Sequence, residues 1–238
     1  MTDRAAPPAL LALPVLAGPL RGGWWLPASG GKLARILLGS YEAQQARCFA
    51  ERIRPGDEVL DLGAAAGYYT LLAARRVGPA GRVIAFEPDE LNLRFLRAHV
   101  ALNRAECVSI VARAISDHDG FERFGSTTGP GRSRLRADGA AEVAVCCLDS
   151  VAHELGLHPA HMKIDVEGAE LEVLQGGERL LREHTPTLYL STHDRQCAGS
   201  ERACLELLEA WGYALSPLSL GEWLCEPRPR GRTGNTRE

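Results

Sequence analysis

Apolar and polar residues recur along the chain in two periods, one typical of strands and one typical of helices. Short apolar runs bounded by turn residues occur at "EVLDLG", "GRVIAFEP", "CVSIVA", "HMKIDV" and "TLYLSTH". Between them, apolar residues follow helical spacing over residues 39–54, 67–77, 89–103, 169–181 and 201–211. Strands that alternate with helices at this pace are typical of βαβ units. The pattern therefore predicts an α/β fold around a mostly parallel sheet.

Three segments depart from this alternation. Residues 113–147 are interrupted by glycines and arginines, which predicts a hairpin or mobile loop over the sheet. Residues 1–38 are expected to form an N-terminal arm that can cover the active site. Residues 226–238 are polar and broken by proline and glycine, which predicts a disordered tail. The length of 238 residues, 45% of them hydrophobic, then suits one domain over residues 39–225.

Composition narrows the classes of partner. A net charge of -3 and a pI near 6.2 give no overall basic field, so nucleic acid is not expected as a partner. The seven cysteines are odd in number and show no C-x-x-C spacing, which indicates a reducing cytosol. The apolar run over residues 9–20 is too short to span a bilayer and contains Pro14. A cytoplasmic protein without a membrane partner is expected.

A glycine loop follows the first predicted strand. The loop "DLGAAAG" runs from Asp61 to Gly67, and ligands bind at the carboxyl ends of strands in open α/β sheets. Gly63 allows a close backbone approach, and Gly67 allows the helix to begin close to the strand. Ala65 stands where a dinucleotide motif has its second glycine, so the dinucleotide interpretation is weakened. A tight packing turn without a ligand is the alternative.

The next two strands end in further candidates for a nucleoside site. Glu87 lies about 20 residues beyond the glycine loop, where an acid can accept hydrogen bonds from both ribose hydroxyls. After the third strand, Ile115 is expected against an adenine ring and Asp117 near its exocyclic amine, with Ser116 between them. An ordinary solvated acid at Glu87 and simple turn chemistry at Ser116 and Asp117 are the alternatives.

Taken together, these motifs resemble the FkbM-type family of class I, Rossmann-like methyltransferases, which depend on S-adenosylmethionine (SAM). The resemblance covers about residues 39–211. One departure is Ala65, where the family commonly has asparagine, so any side-chain contact from that position is in doubt. The resemblance rests on "GSYE" at 39–42, "VLDLGAAAGYYT" at 59–70, "AFEP" at 85–88, "LN" at 102–103, "AISD" at 114–117 and "KIDVEGAELEVLQG" at 163–176.

The resemblance implies a seven-stranded, mostly parallel sheet with helices on both faces. It also implies methyl transfer from SAM to a hydroxyl of a small acceptor such as a sugar, a macrolide or another secondary metabolite. A homodimer is a possible assembly, and the oligomeric state stays open. The residues expected to bind SAM are Tyr41, Asp61, Gly63, Ala64, Gly67, Tyr69, Glu87, Pro88, Ile115, Ser116, Asp117 and Asp165.

Catalysis is assigned to the fourth and fifth strands, whose ends enter the same crevice. Strand alternation sends Lys163 and Asp165 to one face, and Glu167 follows at the strand-to-helix corner. The two carboxylates are suited to a base, a substrate clamp or a divalent-ion site such as one for Mg²⁺. His193, at the end of "TLYLSTH", is a candidate proton acceptor or third metal ligand.

Purely structural roles for these residues stay open, and so do two rival functions. Lys163 could simply neutralise Asp165 beneath the site. Glu170 is expected to be a solvated charge on a helix face, Asp194 to orient His193, and His161 to lie at the surface. A SAM-binding module without catalysis and a nicotinamide-dependent dehydrogenase are the rival functions. The dehydrogenase is disfavoured by the missing middle glycine and by the lack of a Tyr-x-x-x-Lys pattern.

Overall fold

The computed structural model describes residues 11–27, 32–126, 133–135, 138–195 and 197–229. Within these ranges the strands, in chain order, are β1 (Leu13–Pro14), β2 (Trp24–Trp25), β3 (Glu58–Leu62), β4 (Arg82–Phe86), β5 (Val108–Val111), β6 (Ala114–Ser116), β7 (Gly120–Ser126), β8 (Ser133–Leu135), β9 (Ala141–Cys147), β10 (His161–Ile164), β11 (Thr187–Ser191), β12 (Tyr213–Ser219) and β13 (Glu222–Pro227). The helices are α1 (Leu33–Leu37), α2 (Ala43–Arg52), α3 (Tyr68–Val77), α4 (Glu90–Leu102), α5 (Leu148–Leu155), α6 (Glu170–Gly176), α7 (Glu178–His184) and α8 (Ser200–Ala210).

The central sheet has seven strands in the order β12-β13-β11-β10-β3-β4-β5. The run from β11 to β5 is parallel, and β13 and β12 are added antiparallel at one edge. The predicted mostly parallel, seven-stranded α/β fold is therefore confirmed. Lys163 pairs with Asp61 and Ile164 with Leu62, so β10 and β3 end side by side. This register brings together two motifs that are about a hundred residues apart in sequence.

Helices cover both faces of the sheet because its central strands are apolar on both sides. Leu60, Leu62, Met162 and Ile164 belong to one buried cluster, which also takes in residues of α5 to α8. Val59, Val83 and Tyr189 belong to a second cluster on the opposite face, with residues of α2 and α3. The strand ends between these two layers are thus held rigidly.

The middle of the chain was predicted wrongly in part. The described part of residues 113–147 contains antiparallel pairs, as the hairpin alternative predicted, but they belong to a four-stranded second sheet in the order β6-β9-β7-β8 that was not predicted. Helix α5 was not predicted, and the apolar pattern did not locate β12 and β13, the last two strands of the predicted seven. Strand β13 continues to Pro227, so the domain extends beyond residue 225. The remainder of the predicted tail, residues 230–238, lies outside the described residues, as do residues 1–10 of the arm.

The helix predicted over residues 169–181 is two helices. Helices α6 and α7 meet at Gly176 and Gly177. A Cβ atom at Gly176 would collide with the carbonyl oxygen of Ser116, so glycine is needed where α6 approaches β6. This close approach fixes the second sheet against α6.

The described part of the N-terminal arm packs against the domain. Strands β1 and β2 form a short antiparallel hairpin. Val15, Leu20, Trp25 and Ile36 are buried in the cluster that also contains residues of α3. None of the helices in the described ranges has the length and apolar character needed to cross a bilayer.

Candidate active site

A cavity opens where β3, β4 and β10 end, and most of the predicted site residues line it. Gly67, Ser116, Asp117 and His193 are not among its lining residues. The predicted residues that do line it are Tyr41, Asp61, Gly63, Ala64, Tyr69, Glu87, Pro88, Ile115, Lys163, Asp165 and Glu167.

The glycine loop is pressed against the end of β10. Gly63 has a φ of +82°, and a Cβ atom there would collide with the carbonyl oxygen of Asp165. The amides of Gly63 and Ala64 both donate to the Phe86 carbonyl, at 3.0 and 2.9 Å. These two amides are therefore hydrogen-bonded to the end of β4. Gly63 and Ala64 also line the cavity. Gly67, with a φ of +95°, precedes α3 behind the loop.

Glu87 ties the glycine loop to the end of β4. It is 4% exposed. Its Oε2 accepts from the Ala65 amide at 2.7 Å, and its Oε1 accepts from the Asp89 amide at 2.8 Å and from Asn92 Nδ2 at 3.3 Å. Burial raises the pKa of Glu87 to about 7, although the bonds from Asp89 and Ala65 act to lower it. The carboxylate is held in place at the cavity wall, and its ribose role stays a prediction.

Asp61 is buried between the glycine loop and α3. It is 1% exposed, and its Oδ2 accepts from the Thr70 hydroxyl at 2.5 Å. Burial raises the pKa of Asp61 to about 6, while the bond from Thr70 and the charge of Lys163 act to lower it. The side chain therefore links the loop to its helix, in addition to any ligand contact.

The three residues predicted near adenine differ in their positions. Ile115 is buried and lines the cavity. Ser116 is also buried, but its hydroxyl donates to Glu122 at 3.1 Å. Asp117 is half-exposed and contacts His118 Nδ1 at 2.7 Å. Contacts from these residues to an adenine stay predictions, and Ile115 is the only one of the three in the cavity wall.

The end of the cavity away from β4 is lined by Lys163, Asp165 and Glu167, and His193 contacts the two carboxylates there. Lys163 is completely buried, and its Nζ lies 3.1 Å from Asp165 Oδ2 and 2.8 Å from the Ser191 hydroxyl. His193 Nε2 lies 3.5 Å from Asp165 Oδ1 and 3.5 Å from Glu167 Oε2. Lys163 thus supports Asp165 from beneath, and the other three side chains form a cluster.

The cluster has the donor set and spacing of a divalent-ion site. One ligand atom each from Asp165, Glu167 and His193 lies within 4.8 Å of the other two. Two carboxylates suit a hard cation such as Mg²⁺, and an imidazole is compatible with Mn²⁺ or Fe²⁺ as well. The three residues therefore have ligand atoms suited to an ion, and the ion itself stays a prediction.

The backbone at the corner after β10 is unusual. Glu167 has a φ of +57° and Gly168 a φ of +113°. A left-handed conformation is uncommon for a residue with a Cβ atom, and such conformations cluster at functional sites. The corner turns the Glu167 carboxylate toward His193.

The charges in the cluster shift one another's ionisation. Burial acts to raise the pKa of Asp165, but the charges of Lys163 and His193 outweigh it and leave the pKa below its ordinary value. Burial raises the pKa of Glu167 against the charge of His193. Burial acts to lower the pKa of His193, but its bond to Glu170 and the nearby carboxylates raise it above the ordinary value. These directions favour a protonated His193 beside an ionised Asp165.

Four side chains were misjudged or missed. Glu170 is fully buried instead of solvated. Asp194 accepts from the Gly199 and Glu201 amides at the start of α8 and does not orient His193. His161 was expected at the surface but is buried. His99 was not considered, yet it is buried behind the glycine loop, where its Nδ1 contacts the Ala66 carbonyl at 2.7 Å.

Aromatic residues from the arm and from α3 form the roof of the cavity. The rings of Trp25 and Tyr41 each contact Tyr68 edge to face, with centroids 6.4 and 5.0 Å apart. Lys32 Nζ donates to the Tyr41 hydroxyl at 2.6 Å. Trp25 and Lys32 had no motif around them that would have singled them out in the sequence, whereas Tyr68 lies in the motif at 59–70 and was passed over in favour of Tyr69.

The comparisons with known proteins agree with this geometry. Residues 61–215 match the family model described as Methyltransferase FkbM domain. The chain belongs to the FkbM methyltransferase family. This is the family that the motifs resembled, and it is a SAM-dependent one.

Solved structures with the same fold include another FkbM methyltransferase. The enzyme from Methylobacillus flagellatus is 20% identical with a TM-score of 0.50, over 82% of this chain and 52% of its own. A precorrin-6y C5,15-methyltransferase from Geobacter metallireducens is 15% identical with a TM-score of 0.51, over 79% and 86% of the two chains. At these identities the likeness concerns the fold.

Two curated relatives match over part of their length. The AMB antimetabolite synthetase AmbE from Pseudomonas aeruginosa is 28% identical over 79% of this chain but only 11% of its own. The ribosomal RNA large subunit methyltransferase E from Syntrophobacter fumaroxidans is 32% identical over 48% of this chain and 56% of its own. The chain thus spans about a tenth of the first relative and just over half of the second.

Proposed function

We propose that this FkbM-family protein transfers the methyl group of SAM to a hydroxyl of a small molecule, such as a sugar, a macrolide or another secondary metabolite. The observation that supports the proposal most directly is that one cavity has two ends of different chemistry. Glu87 offers a fixed, buried acceptor suited to ribose hydroxyls. Asp165, Glu167 and His193 offer a polar cluster suited to a hydroxyl that must lose its proton.

The transfer itself requires little covalent chemistry from the protein. The bond from the methyl carbon to sulfur breaks while the bond from that carbon to the acceptor oxygen forms, and the hydroxyl proton leaves. The protein must hold the oxygen in line with the methyl group and take up that proton. Asp165 and Glu167 line the cavity, and His193 Nε2, which faces both carboxylates, is best placed to receive the proton once the imidazole is neutral. The three interacting groups titrate as a unit.

The same three residues would hold a divalent ion such as Mg²⁺. When bound, the ion would supply a Lewis acid that lowers the pKa of an acceptor hydroxyl. It would also favour neutral His193, because a metal-bound imidazole nitrogen carries no proton. Lys163 keeps Asp165 ionised in either version, since its buried ammonium lies 3.1 Å from Asp165 Oδ2.

The test is methyl transfer from labelled SAM to a panel of hydroxylated metabolites. Asp165→Asn, Glu167→Gln and His193→Ala should each lower turnover by on the order of 10²-fold or more while SAM still binds. Asp194→Asn, beside His193 but outside the cluster, is the matched control and should retain activity. Near-normal turnover in all three cluster variants would refute the assignment.

A chelator separates the two versions of the cluster. If EDTA abolishes turnover of the unaltered protein and Mg²⁺ restores it, the three residues form an ion site. If EDTA has no effect, His193 is the direct proton acceptor.

Two rival functions have their own discriminating measurements. A module that binds SAM without catalysis would show SAM affinity but no turnover with any acceptor. A nicotinamide-dependent dehydrogenase conflicts with the family assignment, and it would bind NAD in calorimetric titration where this protein should bind only SAM. RNA, on which the partly matching relative is named to act, serves as a further acceptor in the panel, and we expect no methylation of it.

A further inference from the structure

Glu170 is a buried acid that the proposed chemistry leaves without a role. It is the first residue of α6, directly after the corner that carries Glu167 and Gly168, and it is fully buried. Burying a carboxylate costs free energy unless it is paired and hydrogen-bonded. A charge in this position therefore calls for an explanation beyond helix formation.

The contacts of Glu170 all go to the catalytic end of the cavity. Its Oε1 lies 2.7 Å from His193 Nδ1 and accepts from the Gly168 amide at 2.9 Å. Its Oε2 has no hydrogen-bond partner among the described residues. Within the described part of the chain, His193 is the one cationic side chain that forms an ion pair with Glu170. The carboxylate is thus stabilised by the His193 imidazole and the Gly168 amide.

We propose that Glu170 is a positioning residue, which fixes the tautomer and the orientation of His193. The proposal rests on the proposed function and names how its proton-handling residue is prepared. Neutral histidine has one protonated and one unprotonated ring nitrogen. Carboxylates lie at both ring nitrogens, but Glu170 Oε1 is 2.7 Å from Nδ1, whereas the oxygens of Asp165 and Glu167 are 3.5 Å from Nε2. The shorter contact keeps the proton of the neutral ring on Nδ1, so that the lone pair of Nε2 faces Asp165 and Glu167.

The same carboxylate couples two parts of the site. One oxygen, Oε1, receives both His193 Nδ1 and the amide of Gly168, which follows Glu167 at the left-handed corner. The orientation of the imidazole and the position of the corner are therefore fixed by one group. This holds whether Nε2 receives a proton or binds an ion, because histidine ligands also need an acceptor at their other nitrogen.

The unaltered protein gives the first test. At alkaline pH, where the imidazole is neutral, ¹⁵N NMR should show His193 with a protonated Nδ1 and an unprotonated Nε2. The His193 signals are assigned by their absence in His193→Ala. A protonated Nε2 in the unaltered protein would overturn the proposal without the need for any variant of Glu170.

Glu170→Gln gives the second test, and Glu172→Gln on the same helix is the matched control. Glu170→Gln should shift the His193 tautomer and lower kcat by about 10–100-fold, with SAM affinity unchanged, as is typical for loss of a partner that orients a functional histidine. Glu172→Gln should change neither. A lower melting temperature with the tautomer and kcat unchanged would show a purely structural charge and would overturn the proposal.

The two readouts keep this inference separate from the proposed function. If the unaltered protein methylates no acceptor, the proposed function fails, and the ¹⁵N spectrum still decides whether Glu170 orients His193. If methylation occurs but Glu170→Gln leaves kcat unchanged, the proposed function stands and the positioning role falls.

Discussion

Ala65 adopts a backbone conformation that alanine seldom takes. Its φ is +48°, in the left-handed region, where asparagine and glycine are found more often. The side chain is exposed, so asparagine fits there without loss of packing. The family's common asparagine at this position therefore has a backbone explanation that is independent of any contact with the cofactor.

Ala65→Asn should stabilise the ligand-free protein by up to about 1 kcal/mol, because asparagine tolerates the left-handed conformation better. For a domain of this size, the melting temperature should rise by roughly 2–4 °C per kcal/mol. Ala65→Gly is the control for backbone strain and should also raise it. A gain that appears only with SAM bound would instead assign the asparagine a ligand contact.

Glu87 should make both stability and SAM affinity depend on pH. Burial raises its pKa from 4.5 to about 7, so the folded, ligand-free protein binds more protons than the unfolded chain within that interval. The contribution of Glu87 to stability is thus present below pH 4.5 and is lost as pH rises through about 7. SAM affinity should change in the opposite direction, because the ionised carboxylate is the better acceptor for ribose hydroxyls.

Chemical unfolding and calorimetric titration of Glu87→Gln check both signs. The difference in stability between the unaltered protein and Glu87→Gln should shrink or reverse as pH rises toward 7, and SAM affinity of the variant should be flat over the same interval. Asp61, whose pKa is about 6, is present in both proteins and cancels in the comparison. Parallel pH profiles for the two proteins would remove Glu87 from the ribose site.

Single residues divide into those that a sequence can predict and those that it cannot. Asp165 and Glu87 were predictable because each ends a strand beside a glycine-rich or proline-containing motif. Glu170 was not, because the rotation of α6 about its axis decides whether a first-turn acid faces solvent or His193. His99 was not, because its partners, Ala66 and Leu26, lie 33 and 73 residues away in the chain.

At the scale of elements, His99 clamps the N-terminal hairpin onto the glycine loop. Its Nε2 accepts from the Leu26 amide at 2.9 Å, which leaves Nδ1 to donate to the Ala66 carbonyl at 2.7 Å. Its ring also stacks on Trp25, with centroids 3.9 Å apart. Since Trp25 lines the cavity, helix α4 holds the roof and the loop in one arrangement.

His99→Ala should release this clamp. The variant loses two buried hydrogen bonds and one ring stack, each worth about 1 kcal/mol. Hydrogen exchange at the Leu26 amide, which loses its acceptor, should become roughly tenfold or more faster. SAM affinity should fall as the roof loosens. His153→Ala, an exposed histidine on α5, is the control. Unchanged exchange at Leu26 would show that the arm is held by its apolar contacts alone.

Elements whose apolar residues follow a clear strand or helix period were predicted. Elements that depend on contacts between residues distant in the chain were not. The five parallel strands and helices α2, α3, α4 and α8 were expected within a few residues of their observed bounds. Strand β7 was missed because Gly120 and Gly125 interrupt its alternation. Strand β9 contains no glycine and was missed because it was grouped with the glycine-rich segment before it. The break between α6 and α7 was missed because glycine is required at position 176 by the close approach of the Ser116 carbonyl, and Ser116 lies 60 residues away in the chain.

At the scale of the whole molecule, the site exists because parallel strands end at one edge of the sheet. The register of β10 on β3 and of β3 on β4 aligns Asp165, the glycine loop and Glu87 along that edge. Gly63 permits the loop to touch the carbonyl of Asp165, so the predicted cofactor end and the catalytic end are in direct contact. The central claim is that SAM lies along this edge with its sulfur toward Asp165.

A crystal structure with S-adenosylhomocysteine tests that claim most directly. The ribose hydroxyls should lie within hydrogen-bond distance of Glu87, and the anomalous signal of the ligand sulfur should appear on the side of Asp165 and Glu167. A ligand bound outside this cavity, or one whose sulfur points away from the Asp165–Glu167–His193 cluster, would contradict the account.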